Sequence, residues 1–389
     1  MRQDTAAMPP PSAPLLPSFR IQGFRAFRDL EIPRLGRVNL IVGKNNVGKT
    51  TLLEAIKVYS AGSDAAWELK ELLEFRQEVH RHAPRDDKAQ RINIMRAFFQ
   101  PPEQPALTSF YLSTRDLDPK LSVRLGRSPL VQGEKGSRAS GASFIAADEK
   151  PSSPQDELEE EVLQVRITTG SYRYHRVIDL SDLRSSSVAG SLVESRLNAR
   201  NSFACQYLPA RGIKPLDIGP LWDSIVLTNG EQSALQALRI IAPDIERVSL
   251  VEGAMYQGTR YALVARRGHT SPEPLQSMGD GMNRIFELAL GLVNSKHGIF
   301  LIDEVESGVH YAAQEQLWRF IFEASSQLGV QVFATTHSWD CITAFQKAAS
   351  AHPEDGTLIS LAQTDSDIKA TVFNEGDLEI ITRESIEVR

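Results

Sequence analysis

Apolar and polar residues follow two different periods along this chain, and the points where one gives way to the other mark its elements. Residues 19–23 and 30–32 predict short strands, and Val38–Val42 is a β-branched run that stops at a glycine. From Thr50 the period changes, and Leu52, Leu53, Ala55, Ile56 and Tyr59 fall on one face of a helix. Strand, glycine-rich loop and helix therefore follow in that order. Near the C-terminus, residues 298–302 (GIFLI) form a continuous apolar run, as in a strand buried on both faces of a parallel sheet. Leu317, Phe320, Ile321, Ala324 and Leu328 then mark a helical stripe, and residues 330–335 form a second apolar run. This is a strand–helix–strand crossover, the unit of an α/β fold with a mostly parallel sheet. Residues 357–362 and Ile368–Phe373 predict a hairpin with Asp365, Ser366 and Asp367 in its turn.

Two stretches carry neither period. Residues 1–17 are rich in Pro, Ala and Ser and are expected to be a disordered tail, and residues 127–161 mix Gly, Ser, Pro and charge as a disordered loop does. The expected organisation is a tail (1–17), a head (18–62 and 200–389) and an inserted lobe (63–199), which contains no sustained heptad repeat. Within that lobe Arg76, Arg81, Arg85, Lys88, Arg91 and Arg96 are interleaved with acids and lack an aromatic platform, so a solvated face is favoured over a nucleic-acid patch.

Composition narrows the class. No apolar stretch approaches the roughly 20 residues of a membrane span, and prolines interrupt the N-terminus where a signal peptide needs an apolar run. A cytoplasmic protein with no membrane contact is expected. A net charge of −6 excludes a surface that is basic everywhere but leaves room for a local basic patch. Cys205 and Cys341 are too few for a disulfide framework or a zinc site and are expected to be buried thiols.

Gly43, Lys44, Asn45, Asn46, Val47, Gly48, Lys49 and Thr50, followed by Thr51, satisfy the G-x-x-x-x-G-K-[ST] pattern between a strand and a helix. Glycines let the backbone wrap so that its N–H groups point at phosphate oxygens, and the next helix offers its positive end to the same place. Lys49 is placed to reach the β- and γ-phosphates, and the Thr50 hydroxyl to bind Mg²⁺. Asp303 and Glu304 end the 298–302 run, where ligands bind in open α/β sheets. Asp303 is the candidate second metal ligand and Glu304 the candidate general base for an attacking water. His337 ends the neighbouring run and is placed near Glu304 for contact with the γ-phosphate or that water. The N-K-x-D guanine motif is absent, which favours ATP over GTP.

Residues 18–27, the loop at 43–56, FLIDEVESGVH (300–310) and QVFATTHSWDCITAF (331–345) resemble the ABC-type ATPases of the RecF/OLD-like group. More narrowly they resemble the AAA-type bacterial ATPases that include abortive-infection ATPase subunits. The resemblance covers residues 18–62 and 200–389. It implies an ABC-ATPase-like P-loop head, with an N-terminal antiparallel β part and an inserted lobe, that binds ATP and Mg²⁺ and forms a homodimer or higher homo-oligomer. Each site would then be completed in trans by a signature loop, which here matches Ser277, Gly279 and Gly281, although the segment departs from the LSGGQ consensus. Glu306, Ser307, Gly308 and His310 correspond to a dimer-interface loop. The metal-coupling glutamine is Gln100 or Gln206, with Gln100 preferred. Relatives of the OLD type carry a C-terminal nuclease domain, but too few residues follow His337 to build one here. The resemblance therefore implies a separate effector protein, a nuclease, in an antiphage complex in which this chain is sensor or motor. A DNA-binding ATPase of repair or recombination is the alternative.

Overall fold

The structure is a computed structural model that describes residues 13–76, 97–99, 109–114, 120–129, 145–146, 159–169, 172–179, 203–253, 259–352, 354–364 and 367–383. At its centre lies a six-stranded sheet in the order β16-β15-β3-β14-β13-β9. These strands are β3 (Val38–Val42), β9 (Cys205–Leu208), β13 (Ile299–Ile302), β14 (Gln331–Thr335), β15 (Gly356–Gln363) and β16 (Ile368–Phe373). All neighbours are parallel except the β15–β16 hairpin, where Gln363 faces Ile368. The expected α/β architecture is the one observed. Of the hairpin turn, Asp365 and Ser366 lie outside the described residues. The Asp367 carboxylate accepts the backbone N–H groups of Arg28 (3.3 Å) and Asp29 (3.1 Å), fastening the turn to the N-terminal strands.

The apolar runs are continuous because both faces of this sheet are buried, with alternate residues joining different cores. Phe300, Ile302, Val332, Ala334, Leu40 and Val42 join one core with α3 (Pro215–Asp223), α4 (Asn229–Leu238), α5 (Asp280–Asn294), α6 (Tyr311–Leu328), α7 (Trp339–Ala349) and α8 (Glu375–Arg383). A small sheet of β10 (Ile245–Glu252), β11 (Arg260–Arg266) and β12 (Glu273–Pro274) packs into the same core. Ile299, Leu301, Phe333 and Ile41 join the opposite core, which contains α1 (Lys49–Ala61), α2 (Ala65–Phe75) and the N-terminal strands.

Those N-terminal strands, β1 (Phe19–Phe24) and β2 (Phe27–Ile32), begin an antiparallel sheet ordered β2-β1-β4-β5-β7-β8. It continues through β4 (Ser109–Ser113), β5 (Lys120–Pro129), β7 (Glu159–Thr169) and β8 (Tyr172–Asp179), with β6 (Ile145–Ala146) against β5. Strands from the expected inserted lobe thus extend the sheet of the head. The expected loop at 127–161 is corrected at both ends, since Arg127 pairs with Glu161 and Pro129 with Glu159 in the β5–β7 ladder. Hydrogen bonding along this ladder overrides the loop-like composition.

The tail expectation also needs correction at its C-terminal end. Leu16 is 1% exposed, and its backbone N–H and C=O bond to the Gln331 side-chain amide, each at 2.8 Å. The same amide donates to Gly36 C=O at 2.8 Å, so one buried glutamine clamps two segments onto β14. Both thiols are shielded as expected, although Cys205 is only half-buried as a residue; burial pushes each up to about 12.

Replacing Gln331 by Ala should strand two buried backbone groups, the N–H and C=O of Leu16, whereas Gly36 C=O keeps the Asn39 amide at 2.9 Å. A loss of roughly 2–4 kcal/mol in folding stability is expected, read from denaturant midpoints, together with new protease cleavage near residue 16. An unchanged midpoint would show that Leu16 is held by packing alone.

Candidate active site

The carboxyl ends of β3, β14, β13 and β9 open into a cleft of about 920 Å³. At the β3 end the loop turns through left-handed backbone at Gly43 (φ +146), Asn46 (φ 63) and Gly48 (φ +100). A Cβ on Gly43 would stand 2.5 Å from Leu361 O, and one on Gly48 would stand 2.9 Å from the Phe27 ring, so both glycines are required by space as well as by backbone. Asn45, Asn46, Lys49, Thr50 and Thr51 line the cleft, whereas Val47 turns its side chain into the core and Lys44 is exposed. Lys49 Nζ donates to Gly43 O (2.6 Å) and Lys44 O (3.0 Å), inside the curve of the loop. Burial pulls the Lys49 ammonium below its usual range, against the opposing effect of Asp303, Glu304 and Glu306. No side-chain hydrogen bond caps the start of α1 and its first turn has no acid, so its leading amides face the cleft uncontested.

The acids arrive from β13 as the sequence predicts. Thr50 Oγ1 lies 3.2 and 3.1 Å from the two Asp303 carboxylate oxygens, although the residues are 253 positions apart. Strand β14 is interposed between β3 and β13 and supplies Thr335, whose hydroxyl donates to Asp303 Oδ1 at 2.7 Å and accepts from Glu304 N–H at 2.9 Å. Glu304 has φ 51, an uncommon conformation for a residue with a side chain. His337, half-exposed, places Nδ1 at 3.9 Å from an oxygen of Glu304 and at 3.9 Å from one of Glu306.

Arg284, on the second turn of α5, was not singled out by the sequence reading. It is 4% exposed; it donates to Asp303 O (2.6 Å) and Glu304 O (3.0 Å) through one guanidinium nitrogen and to Pro209 O (2.7 Å) through another. Burial lowers its pKa, opposed first by Glu287 and then by Asp303, while burial raises that of Glu287. A signal was present: Arg284 lies four residues before Leu288 and seven before Gly291, on the buried side of an amphipathic helix.

Ser277, Gly279 and Gly281 do not line the cleft of their own chain. Ser277 is exposed in the short turn Leu275–Met278, a Cβ on Gly279 would meet nothing within 4 Å, and Gly281 packs its Cα against Gly308 O. Within its own chain Glu306, one of the interface-loop candidates, sits against the end of β14. Its side chain is 11% exposed and accepts from Thr336 Oγ1 (2.7 Å) and His337 N–H (3.3 Å). Gln100 lies outside the described residues. Gln206 lines a separate cavity of about 360 Å³ beside Lys57 and Trp67, away from the cleft, because it sits two residues short of the end of β9.

The donors fit a magnesium triphosphate. Thr50 and Asp303 are hard oxygen ligands, and Mg²⁺ takes only one or two such protein groups beside phosphate and water. Among the described residues no cluster of three or more His, Cys, Asp or Glu side chains could hold a metal alone. No helix among them is long and apolar enough to cross a membrane.

Comparison with known proteins bears on the same two halves of the cleft. Residues 16–170 match an AAA ATPase domain, and residues 233–340 match an AAA domain described as a putative AbiEii toxin of a Type IV TA system. The first match contains the loop at 43–50, and the second contains Arg284, Asp303, Glu304 and His337. An uncharacterized protein of Methanocaldococcus jannaschii is 34% identical over 50 residues, which is 13% of this chain and 23% of that protein's length. Among solved structures, an SMC head bound to the C-terminal winged-helix domain of ScpA has a TM-score of 0.49 at 11% identity, covering 93% of this chain and 98% of that one. The SMC head of Thermotoga maritima has a TM-score of 0.44 at 14% identity, covering 92% and 99%.

Substituting Arg284 by Ala should leave three carbonyl groups and the half-buried Glu287 without their cation. A loss of about 3–5 kcal/mol in stability is expected, with Lys restoring only part because it lacks the planar fork. Equal denaturation midpoints for the variant and the parent would remove Arg284 from this role.

Proposed function

We propose that the chain is an ATP-hydrolysing enzyme of the ABC-like AAA type. The observation that carries this reading is the meeting of Thr50 and Asp303 within 3.2 Å at the mouth of the loop ending in Lys49. Loop amides and the start of α1 receive the phosphates, and Lys49 neutralises the β- and γ-phosphates. Thr50 and Asp303 would hold Mg²⁺, which when bound would supply Lewis-acid stabilisation of charge on the phosphate oxygens. Glu304 takes the proton of the attacking water, its backbone fixed from both sides by Thr335 and Arg284. His337 stands beside Glu304 to orient that water or the terminal phosphate.

The head, 18–62 and 200–389, acts in this reading as one of two or more copies, with 63–199 as an insertion. Ser277 and Gly279, small and exposed on the loop before α5, offer a surface that a second copy's phosphate can approach closely, and Gly281 lets α5 begin against Gly308. The finer role in this reading is sensor or motor in an antiphage complex with a separate effector, a nuclease; the matched description, a putative AbiEii toxin of a Type IV TA system, supports a toxin–antitoxin setting and no more.

Glu304→Gln tests the chemistry. Turnover should fall by roughly a hundredfold or more while ATP binding persists, and an ATP-bound dimer should accumulate in size-exclusion chromatography. Turnover equal to that of the parent would exclude Glu304 as the base.

A further inference from the structure

The turn leaving β9 presents a cation that the proposed mechanism does not yet use. Pro209, Ala210 and Arg211 follow the last residue of β9, beside the end of β13, and line the cleft with Thr50, Asp303 and Glu304. The backbone of this turn is fixed from several directions. Gly212 N–H donates to Pro209 O at 3.0 Å, Arg284 donates to the same carbonyl at 2.7 Å, and Ile213 N–H donates to the Glu287 carboxylate at 3.2 Å. At Gly212 (φ +84) a Cβ would stand 2.8 Å from Glu287 Oε1, so the chain lies directly against α5.

On this rigid turn the Arg211 side chain is exposed, and it makes no hydrogen bond or ion pair with any described residue. Other cations in the cleft are engaged. Arg76 is paired with Glu54 at 2.6 Å, and Lys49 lies within the field of Asp303, Glu304 and Glu306. A magnesium triphosphate remains anionic, and Asp303 and Glu304 add negative charge that Lys49 alone does not offset. The order of the strand ends decides which phosphate gains from a further cation. The loop grips from the end of β3, the carboxylates stand two strands away on β13, and Arg211 stands one strand beyond them on β9. A phosphate chain advancing from the loop toward the carboxylates brings its last group to the Arg211 side.

We propose that Arg211 contacts the terminal phosphate of a triphosphate bound in its own chain, so that this site distinguishes nucleoside triphosphate from diphosphate. The proposal rests on the ATP-site reading above. Its energetic basis is a charge-assisted, bidentate hydrogen bond from a guanidinium whose backbone is fixed in advance.

Calorimetric titration of the full chain with a non-hydrolysable ATP analogue and with ADP, both in Mg²⁺ buffer, tests it on the parent, R211A, R211K and K49A. R211A should weaken the analogue by roughly ten- to a hundredfold while leaving ADP affinity nearly unchanged. R211K should recover part of the loss, and K49A should weaken both ligands. Equal weakening of both ligands by R211A, or no weakening of either, overturns the proposal. If K49A loses binding while R211A matches the parent, only the Arg211 assignment falls; if the parent binds neither nucleotide, the ATP-site reading falls with it.

Discussion

Thr335 Oγ1 donates to the Asp303 carboxylate and accepts from the Glu304 backbone, and the arrangement of the cleft depends on that one hydroxyl. Its position between the loop strand and the acid strand is what makes this possible. With β14 interposed, a side chain at its end reaches the first residues past β13 and holds them facing Thr50. Arg284 completes the restraint from below by binding the carbonyl groups of the same two residues. A left-handed glutamate is costly by about 1–3 kcal/mol, and it persists here because both its N–H and its C=O are committed to fixed partners.

The sequence made the nucleotide half of the molecule readable because its chemistry is local. Gly43 to Thr50 occupy one loop, Asp303 and Glu304 directly follow an apolar run, and His337 follows another, so position along a strand translated into position in the cleft. Burial of β3, β13 and β14 on both faces made those strands stand out as unbroken apolar blocks.

What could not be read depended on partners distant in sequence. Leu16 looked like part of a proline-rich tail because its anchor, Gln331, lies 315 residues away. The ends of the 127–161 segment looked like loop because backbone pairing between β5 and β7 leaves little trace in composition. Arg284 was hidden by a habit of interpretation: an arginine on an amphipathic helix is usually assigned to solvent, whereas its neighbours at 288 and 291 place it inward. Glu306 likewise places its carboxylate against Thr336, a partner 30 positions away at the end of β14.

A buried carboxylate ties the phosphate-gripping helix to the antiparallel sheet. Glu54 on α1 is 1% exposed and lies between Arg25 (3.0 Å), at the β1–β2 turn, and Arg76 (2.6 Å), at the end of α2. Arg25 in turn lies 4.4 Å over the Phe98 ring. Separating either guanidinium from a carboxylate so deeply placed costs several kcal/mol. The antiparallel sheet and the phosphate-gripping helix consequently behave as a welded joint, and any rocking of one sheet against the other must pivot elsewhere.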